Sequence, residues 1–299
     1  MNELTLNIRH HDTKNGGLTS LYALCNDMSG AGFYSAGGDG NVVHWPNAPE
    51  DEGILIARTG AQIMTMVADP ESNRLLIGTL DGHLIIIEPG LKISAERIKL
   101  MKGGIFGIKK TEIGYMIVGD NGSVSQIDFE TYQIVRSLQI SSGRSRSLVQ
   151  DGDYFYAGNT EGRIYKIDGL RLKETAVSPI IHNSSVFSLI HPDDKLISAG
   201  KDGKIIQWND RLEKTDEVQA HNTTINCLVE LGESGLMASA CRDGSIRIWN
   251  HSDLELLKVI DLYLHSGHLR SVNHLIWNEY HHMLISCSDD LKIKSWYIM

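Results

Sequence analysis

The sequence predicts an all-β protein built from seven repeated units, and two observations predict it. Seven short turns recur along the whole chain, and apolar, β-rich runs flank them. The turns are Asp39-Gly40, Asp81-Gly82, Asn121-Gly122, Glu161-Gly162, Asp202-Gly203, Asp243-Gly244 and Asp290-Leu291. The steps between their second residues are 42, 40, 40, 41, 41 and 47. Six turns carry Gly, which suits a positive φ in a tight hairpin. Leu75-Leu76-Ile77 before one turn and Leu84 to Ile87 after it illustrate the flanking strands. The repeats run from end to end of the 299 residues, so one domain over residues 1–299 is expected.

The sixth unit shows the internal order most plainly. His221 to Glu230 forms a first run, and Gly232-Glu233-Ser234-Gly235 a turn. Leu236 to Cys241 follows, then the Asp243-Gly244 turn, Ser245 to Asn250, another turn, and Leu254 to Ile260. That is four short strands without helical periodicity. Ile246 and Ile248 face one side of the sheet, and Arg247 and Trp249 the other. Apolar bulk on both faces requires cover on both sides. A sheet this small obtains that cover only by stacking between neighbours, as the blades of a propeller do.

His221, Ser239, Asp243 and Trp249 resemble the His–Ser–Asp–Trp network of the WD-repeat (WD40) family. The same offsets recur in Ser35-Asp39-Trp45, Ser198-Asp202-Trp208 and Ser286-Asp290-Trp296, with His182 and His268 at the histidine position of the fifth and seventh repeats. A buried Asp must be paired, and His, Ser and the indole N–H can hold it across three strands. The set repeats with Trp at a fixed offset, so it reads as structural and not as a catalytic triad. The first repeat has Gly17 in place of the histidine. In the second to fourth, Ile87, Ile127 and Ile167 replace Trp, and Ile77, Ile117 and Ala157 replace Ser, so apolar stacking is expected to hold those blades. The chain ends just after Trp296, which leaves the seventh repeat three strands. The alternating segment Leu4-Thr5-Leu6-Asn7-Ile8 is expected to supply the fourth and close the ring.

Composition narrows the function classes. The formal net charge of −9 weighs against general nucleic-acid binding, which draws on a basic surface. The N-terminus lacks a basic stretch followed by an apolar core, and no apolar run is long enough for a membrane span. Cys25, Cys227, Cys241 and Cys287 show no CxxC spacing and read as small buried residues in a reducing compartment. A cytoplasmic protein is therefore expected, a nuclear one being compatible with the same residues. No metal or other cofactor is implied.

The innermost strands align on Leu21, Ile63, Ile105, Ser145, Val186, Ile225 and Val272. The next residues are Tyr22, Met64, Phe106, Arg146, Phe187, Asn226 and Asn273. Phe106, Arg146 and Phe187 fall on successive blades, and an Arg between aromatics suits a planar or anionic side chain. The residues after these are small except His274, a candidate for ligand binding or titration near neutral pH. Lys201 and Arg242 precede the turn Asp in blades five and six; with Arg144, Arg146 and Arg270 they make blades four to seven basic. His10, His11, His265 and His268 are a weaker candidate metal cluster.

The family resemblance implies a non-enzymatic scaffold that binds other proteins, alone as a monomer or as a subunit of a hetero-complex. The basic rim adds an acidic or phosphorylated peptide as the expected ligand. A channel-site hydrolase and a nucleic-acid-associated subunit are the competing readings. The first needs carboxylates or several histidines on the inner strands, and the second steep salt dependence.

Overall fold

A computed structural model describes residues 6–47, 52–90 and 96–299. Among them the strands form seven four-stranded antiparallel sheets. In six sheets the strands follow chain order from inside to outside, as in Leu21–Asn26, Phe33–Gly37, Asn41–Trp45 and Ile54–Arg58. The seventh is built from Val272–Asn278, Met283–Ser288 and Lys292–Ile298, with Ile8–Asn15 as its outermost strand. The two ends of the described chain thus lie in one sheet, and Asn7 and Met299 exchange backbone hydrogen bonds of 2.8 and 3.0 Å.

Strand closure occurs as the sequence predicts, with a strand that begins at Ile8, where the expected segment ends. Leu4 and Thr5 lie outside the described residues, and the pairing runs from Ile8 opposite Ile298 to Asn15 opposite Lys292. Ile8–Asn15 has a largely polar sequence because one side of an outer strand faces water; its residues alternate between half-buried and exposed. Apolar alternation therefore pointed to the residues just before it.

The turn glycines are needed for their backbone. Gly82 and Gly244 have φ of 81° and 91°, and a Cβ on Gly82 would lie 2.2 Å from the Met101 carbonyl oxygen. Leu291 adopts φ of 67° in the turn that lacks Gly, a conformation costly for an L-residue. The long last step has a local cause. Between the sixth and seventh sheets the chain makes a short helix, Leu262–His265, capped by the Asp261 carboxylate on the Leu264 amide at 2.7 Å. No helix among the described residues is long and apolar enough to cross a membrane.

Packing between sheets is apolar throughout the ring. Ile197, Ala199 and Ile205 of the fifth sheet share a core with Leu228, Met237 and Trp249 of the sixth. Leu21 and Trp45 of the first sheet share one with Ile285 and Ile293 of the seventh. The second and third sheets add a polar clamp absent from the apolar stacking that the sequence predicts. Asp69, 2% exposed, accepts hydrogen bonds from Tyr115 Oη at 2.7 Å, Lys110 Nζ at 2.6 Å and Ser72 Oγ at 2.8 Å. Burial opposes ionisation, but these donors outweigh it and hold the Asp69 carboxyl down to about 2.

Two outcomes follow. Removing residues 1–15 strips the outer strand from the closing sheet, so the melting temperature falls by on the order of 10 °C, measured by calorimetry against the full chain. Asp69→Asn costs about 3 kcal/mol in urea unfolding, because it breaks a buried, paired charge. A carboxyl depressed in the folded state stabilises above its ordinary value of about 4 and loses that contribution as pH falls toward 2. The wild type thus loses stability over that window more steeply than Asp69→Asn does.

Candidate partner-binding face at the channel mouth

The inner strands begin at Leu21, Ile63, Ile105, Ser145, Val186, Ile225 and Val272, the residues on which the sequence aligns them. In every sheet the ladder slips immediately after that residue. Leu21 pairs with Gly37 and Ala23 with Ala36, so Tyr22 has no opposite partner. The same bulge isolates Met64, Phe106, Arg146, Phe187, Asn226 and Asn273. A bulge re-aims the extra residue, and here all seven line the central channel, a space of about 810 Å³.

Arg146 sits between two aromatic side chains of this ring. Its guanidinium carbon lies 4.1 Å from the Phe106 ring centre and 5.6 Å from that of Phe187, within cation–π range. Its Nε has no hydrogen-bond partner among the described residues. Burial lowers the Arg146 pKa, the Asp120 carboxylate works against that, and the Arg144 charge adds to it. Phe106 and Phe187 are half-buried channel residues and not interblade core. Asn226 and Asn273 are otherwise engaged. Asn226 Nδ2 donates to the Val272 carbonyl at 2.8 Å, and Asn273 Nδ2 donates to the Leu21 carbonyl at 2.9 Å and to Asp289 Oδ1 at 2.7 Å.

Around this mouth runs the rim. The Lys201 amide donates to the Ser185 carbonyl and the Arg242 amide to the Thr224 carbonyl, both at 2.9 Å, which sets each residue beside the start of an inner strand. Lys201, Arg242 and Arg270 are exposed, and none has an ion-pair partner among the described residues. Arg144 differs, because its Nε lies 3.1 Å from Asp120 Oδ1. The basic arc that the sequence places on blades four to seven is thus unneutralised on blades five to seven and partly neutralised on blade four.

The WD40 family model (WD domain, G-beta repeat) matches residues 178–209, 212–250 and 260–297. The WD40 β-propeller domain of Doa1 superposes with a TM-score of 0.83 at 17% identity, over 97% of this chain and 96% of that one. The chain is a seven-bladed propeller that carries WD40 repeats in three places. An uncharacterized WD repeat-containing protein of Schizosaccharomyces pombe is 32% identical over 199 residues, covering 62% of this chain and 51% of the relative. The rat serine-threonine kinase receptor-associated protein is 26% identical over 225 residues, covering 72% and 62%. Mouse Elongator complex protein 2 is 27% identical over 110 residues, covering 33% and 13%. The chain therefore spans 62% or less of the length of each of these relatives.

The WD40 network is complete in one blade and altered in the others. In blade five, Trp208 Nε1 donates to Ser198 Oγ at 2.8 Å, Ser198 meets His182 Nε2 at 2.8 Å, and His182 Nδ1 meets Asp202 at 3.0 Å. In blade seven, His268 joins Ser286 at 2.7 Å and Asp290 at 2.9 Å, but Trp296 Nε1 donates to the His265 carbonyl at 2.8 Å instead of to Ser286. The inserted helix supplies that acceptor, so the expected four-residue network is cut to three. In blade six, Trp249 and His221 reach Ser239 at 2.9 and 2.8 Å, yet His221 Nδ1 stands 3.8 Å from Asp243, too far for a hydrogen bond. Blade one keeps Trp45 on Ser35 at 2.9 Å, and Asp39 accepts from the Asn41 amide at 2.9 Å.

The remaining histidines resolve differently from the sequence reading. Burial, helped by the Lys109 charge, pushes His274 down to about 4, so it stays neutral near pH 7 and does not titrate there. His10 lies edge-on to Trp296, His11 edge-on to Tyr297, and His268 is held in its network. The four histidines do not converge as a ligand group among the described residues. Sequence reasoning missed Lys109, which lines the channel together with Glu230 and Trp277. Its signal was available: Lys109 is the one charged residue at the fifth position of the seven inner strands.

Proposed function

We propose that this propeller is a non-enzymatic interaction scaffold that grips an acidic or phosphorylated segment of a partner protein at the channel mouth. One observation carries the reading: the Arg146 guanidinium rests on Phe106 with an unpartnered Nε, beside a rim where Lys201, Arg242 and Arg270 lack carboxylate partners among the described residues. Stacking holds the planar fork in place, and its N–H edge suits bidentate pairing with a carboxylate or phosphate. The rim charges then steer an anionic segment toward it.

Relatives named for association with a receptor and for membership of a complex support a scaffold in general. The described channel lining carries one carboxylate, Glu230, and one imidazole, His274, a poor ligand set for a hydrolytic metal centre. The net charge of −9 weighs against nucleic acid. Work in the cytoplasm as a monomer or as a subunit of a hetero-complex fits the same reading.

The test combines binding to arrayed acidic and phosphorylated peptides with tagged capture from the native source, read by mass spectrometry. Arg146→Ala and the double variant Lys201→Glu/Arg242→Glu are each expected to weaken the selected peptide by about 10- to 100-fold, with melting temperatures near wild type. Unchanged affinity in both variants refutes the channel-mouth site. Binding to single-stranded oligonucleotides that collapses with added salt would favour the nucleic-acid reading instead.

A further inference from the structure

The geometry points to a zinc site in blade six, formed by His221 Nδ1, Cys241 Sγ and Asp243 Oδ2. These three side chains present ligand atoms that all lie within 4.8 Å of one another. They come from three different places in the blade: the approach to the inner strand, the second strand, and the tight turn.

Comparison with the sister blades shows what is unusual. In blades five and seven the turn Asp is almost fully enclosed and its carboxylate takes the histidine Nδ1–H at 2.9–3.0 Å. There Oδ2 also accepts the next backbone amide, from Asn183 or Leu269, at 3.0 Å. Asp243 instead turns outward, with its side chain 39% exposed. Its Oδ1 is taken by the Ser245 amide at 2.9 Å and the Ser245 hydroxyl at 2.7 Å, which leaves Oδ2 toward His221. His221 is 1% exposed, and its Nδ1 has no hydrogen-bond partner among the described residues. A buried imidazole nitrogen without a partner is expensive.

Cys241 also sets this blade apart. It pairs with Ile225 at the start of the inner strand, where blade five has Gly200 and blade seven has Ser288. A thiol thus stands beside the imidazole and the carboxylate in this blade alone among the described residues. The 3.8 Å between Nδ1 and Oδ2 exceeds a hydrogen bond, and an ion between them would draw the two atoms slightly together. Bond lengths of about 2.0–2.3 Å place the ligand atoms of a tetrahedral zinc roughly 3.3–3.7 Å apart. His, Cys and Asp form a nitrogen, sulfur and oxygen set that favours a borderline-soft dication over magnesium or calcium. With Nδ1 on the metal, the other ring nitrogen donates its proton to Ser239 Oγ at 2.8 Å, the outer contact that orients a ligating histidine.

The Arg247 cation, tied to the Ala220 carbonyl, opposes a dication in this place, and two anionic ligands offset that. Binding displaces the thiol proton to solvent and forms one Zn–S, one Zn–N and one Zn–O bond. The fourth position is open on the exposed side of Asp243 and takes water.

The test uses the tag-free, chelator-treated chain, titrated without oxygen by Co²⁺ and then by Zn²⁺. Wild type is expected to bind one equivalent of Co²⁺ with a thiolate-to-cobalt charge-transfer band. Zinc should bleach that band, release one proton per ion bound, and raise the melting temperature. Cys241→Ser restores the residue type that blade seven carries as Ser288, so it should fold while losing the band and the thermal shift. Asp243→Asn should weaken binding by about tenfold or more, and Cys287→Ser should bind as wild type does. The site is refuted if saturating metal yields neither band nor thermal shift in the wild type, or if the band survives in Cys241→Ser. Neither result depends on any peptide, so the site stands or falls apart from the scaffold reading.

Discussion

Every sheet of this protein has two apolar faces, and the rest of the structure depends on that constraint. The second strands show it directly: Phe33–Gly37, Leu196–Gly200 and Met283–Ser288 are buried along their whole length. A four-stranded sheet has no means of covering both faces itself, so each one requires two neighbours. A row of such sheets would leave two bare ends, and only a closed ring removes them. Pairing Ile8–Asn15 with Lys292–Ile298 closes the ring through backbone hydrogen bonds, and the core shared by the first and seventh sheets closes it through side chains.

With apolar stacking carrying the architecture, the polar network is free to vary. Blade five keeps it whole, blade seven hands its indole to the inserted helix, and blades two and three substitute a buried carboxylate clamped by a lysine and a tyrosine. The principle is the same in each case. A buried charge is held by donors from more than one strand, whichever residues supply them. Among the blades that keep all four residues, blade six departs furthest, because a cysteine enters beside the histidine and the aspartate turns away. Trp249 nonetheless keeps its place in the apolar core shared with blade five.

The channel mouth arises from the same geometry. Seven inner strands converge, small residues allow the approach, and a bulge at the same position of each strand points one side chain at the axis. Four of the seven positions are filled by Tyr, Phe, Arg and Phe, and two by asparagines that bridge neighbouring backbone. Nothing in the stacking requires Arg146 to lie against Phe106, nor Lys201, Arg242 and Arg270 to stand without carboxylates. These features fall on a surface that the fold leaves free to specialise.

The amino-acid sequence by itself determined the number of blades, the strand order and the first residue of every inner strand. Those follow from local physics: a glycine at a positive-φ turn and apolar runs of strand length at a fixed interval. It also placed Phe106, Arg146 and Phe187 on adjacent blades, since one aligned position predicts one location in a repeat. Tertiary structure decided the rest. The closing strand was obscured because an edge strand, wet on one side, carries little apolar signal. The pairing of Asp69 with Lys110 and Tyr115 joins two blades, and the helix carbonyl that captures Trp296 comes from an insertion, so neither follows from repeat offsets. The meeting of His221, Cys241 and Asp243 joins two strands and a turn, with the carboxylate 3.8 Å from the imidazole where blades five and seven hold it at 3.0 and 2.9 Å, a difference that spacing along the chain does not carry.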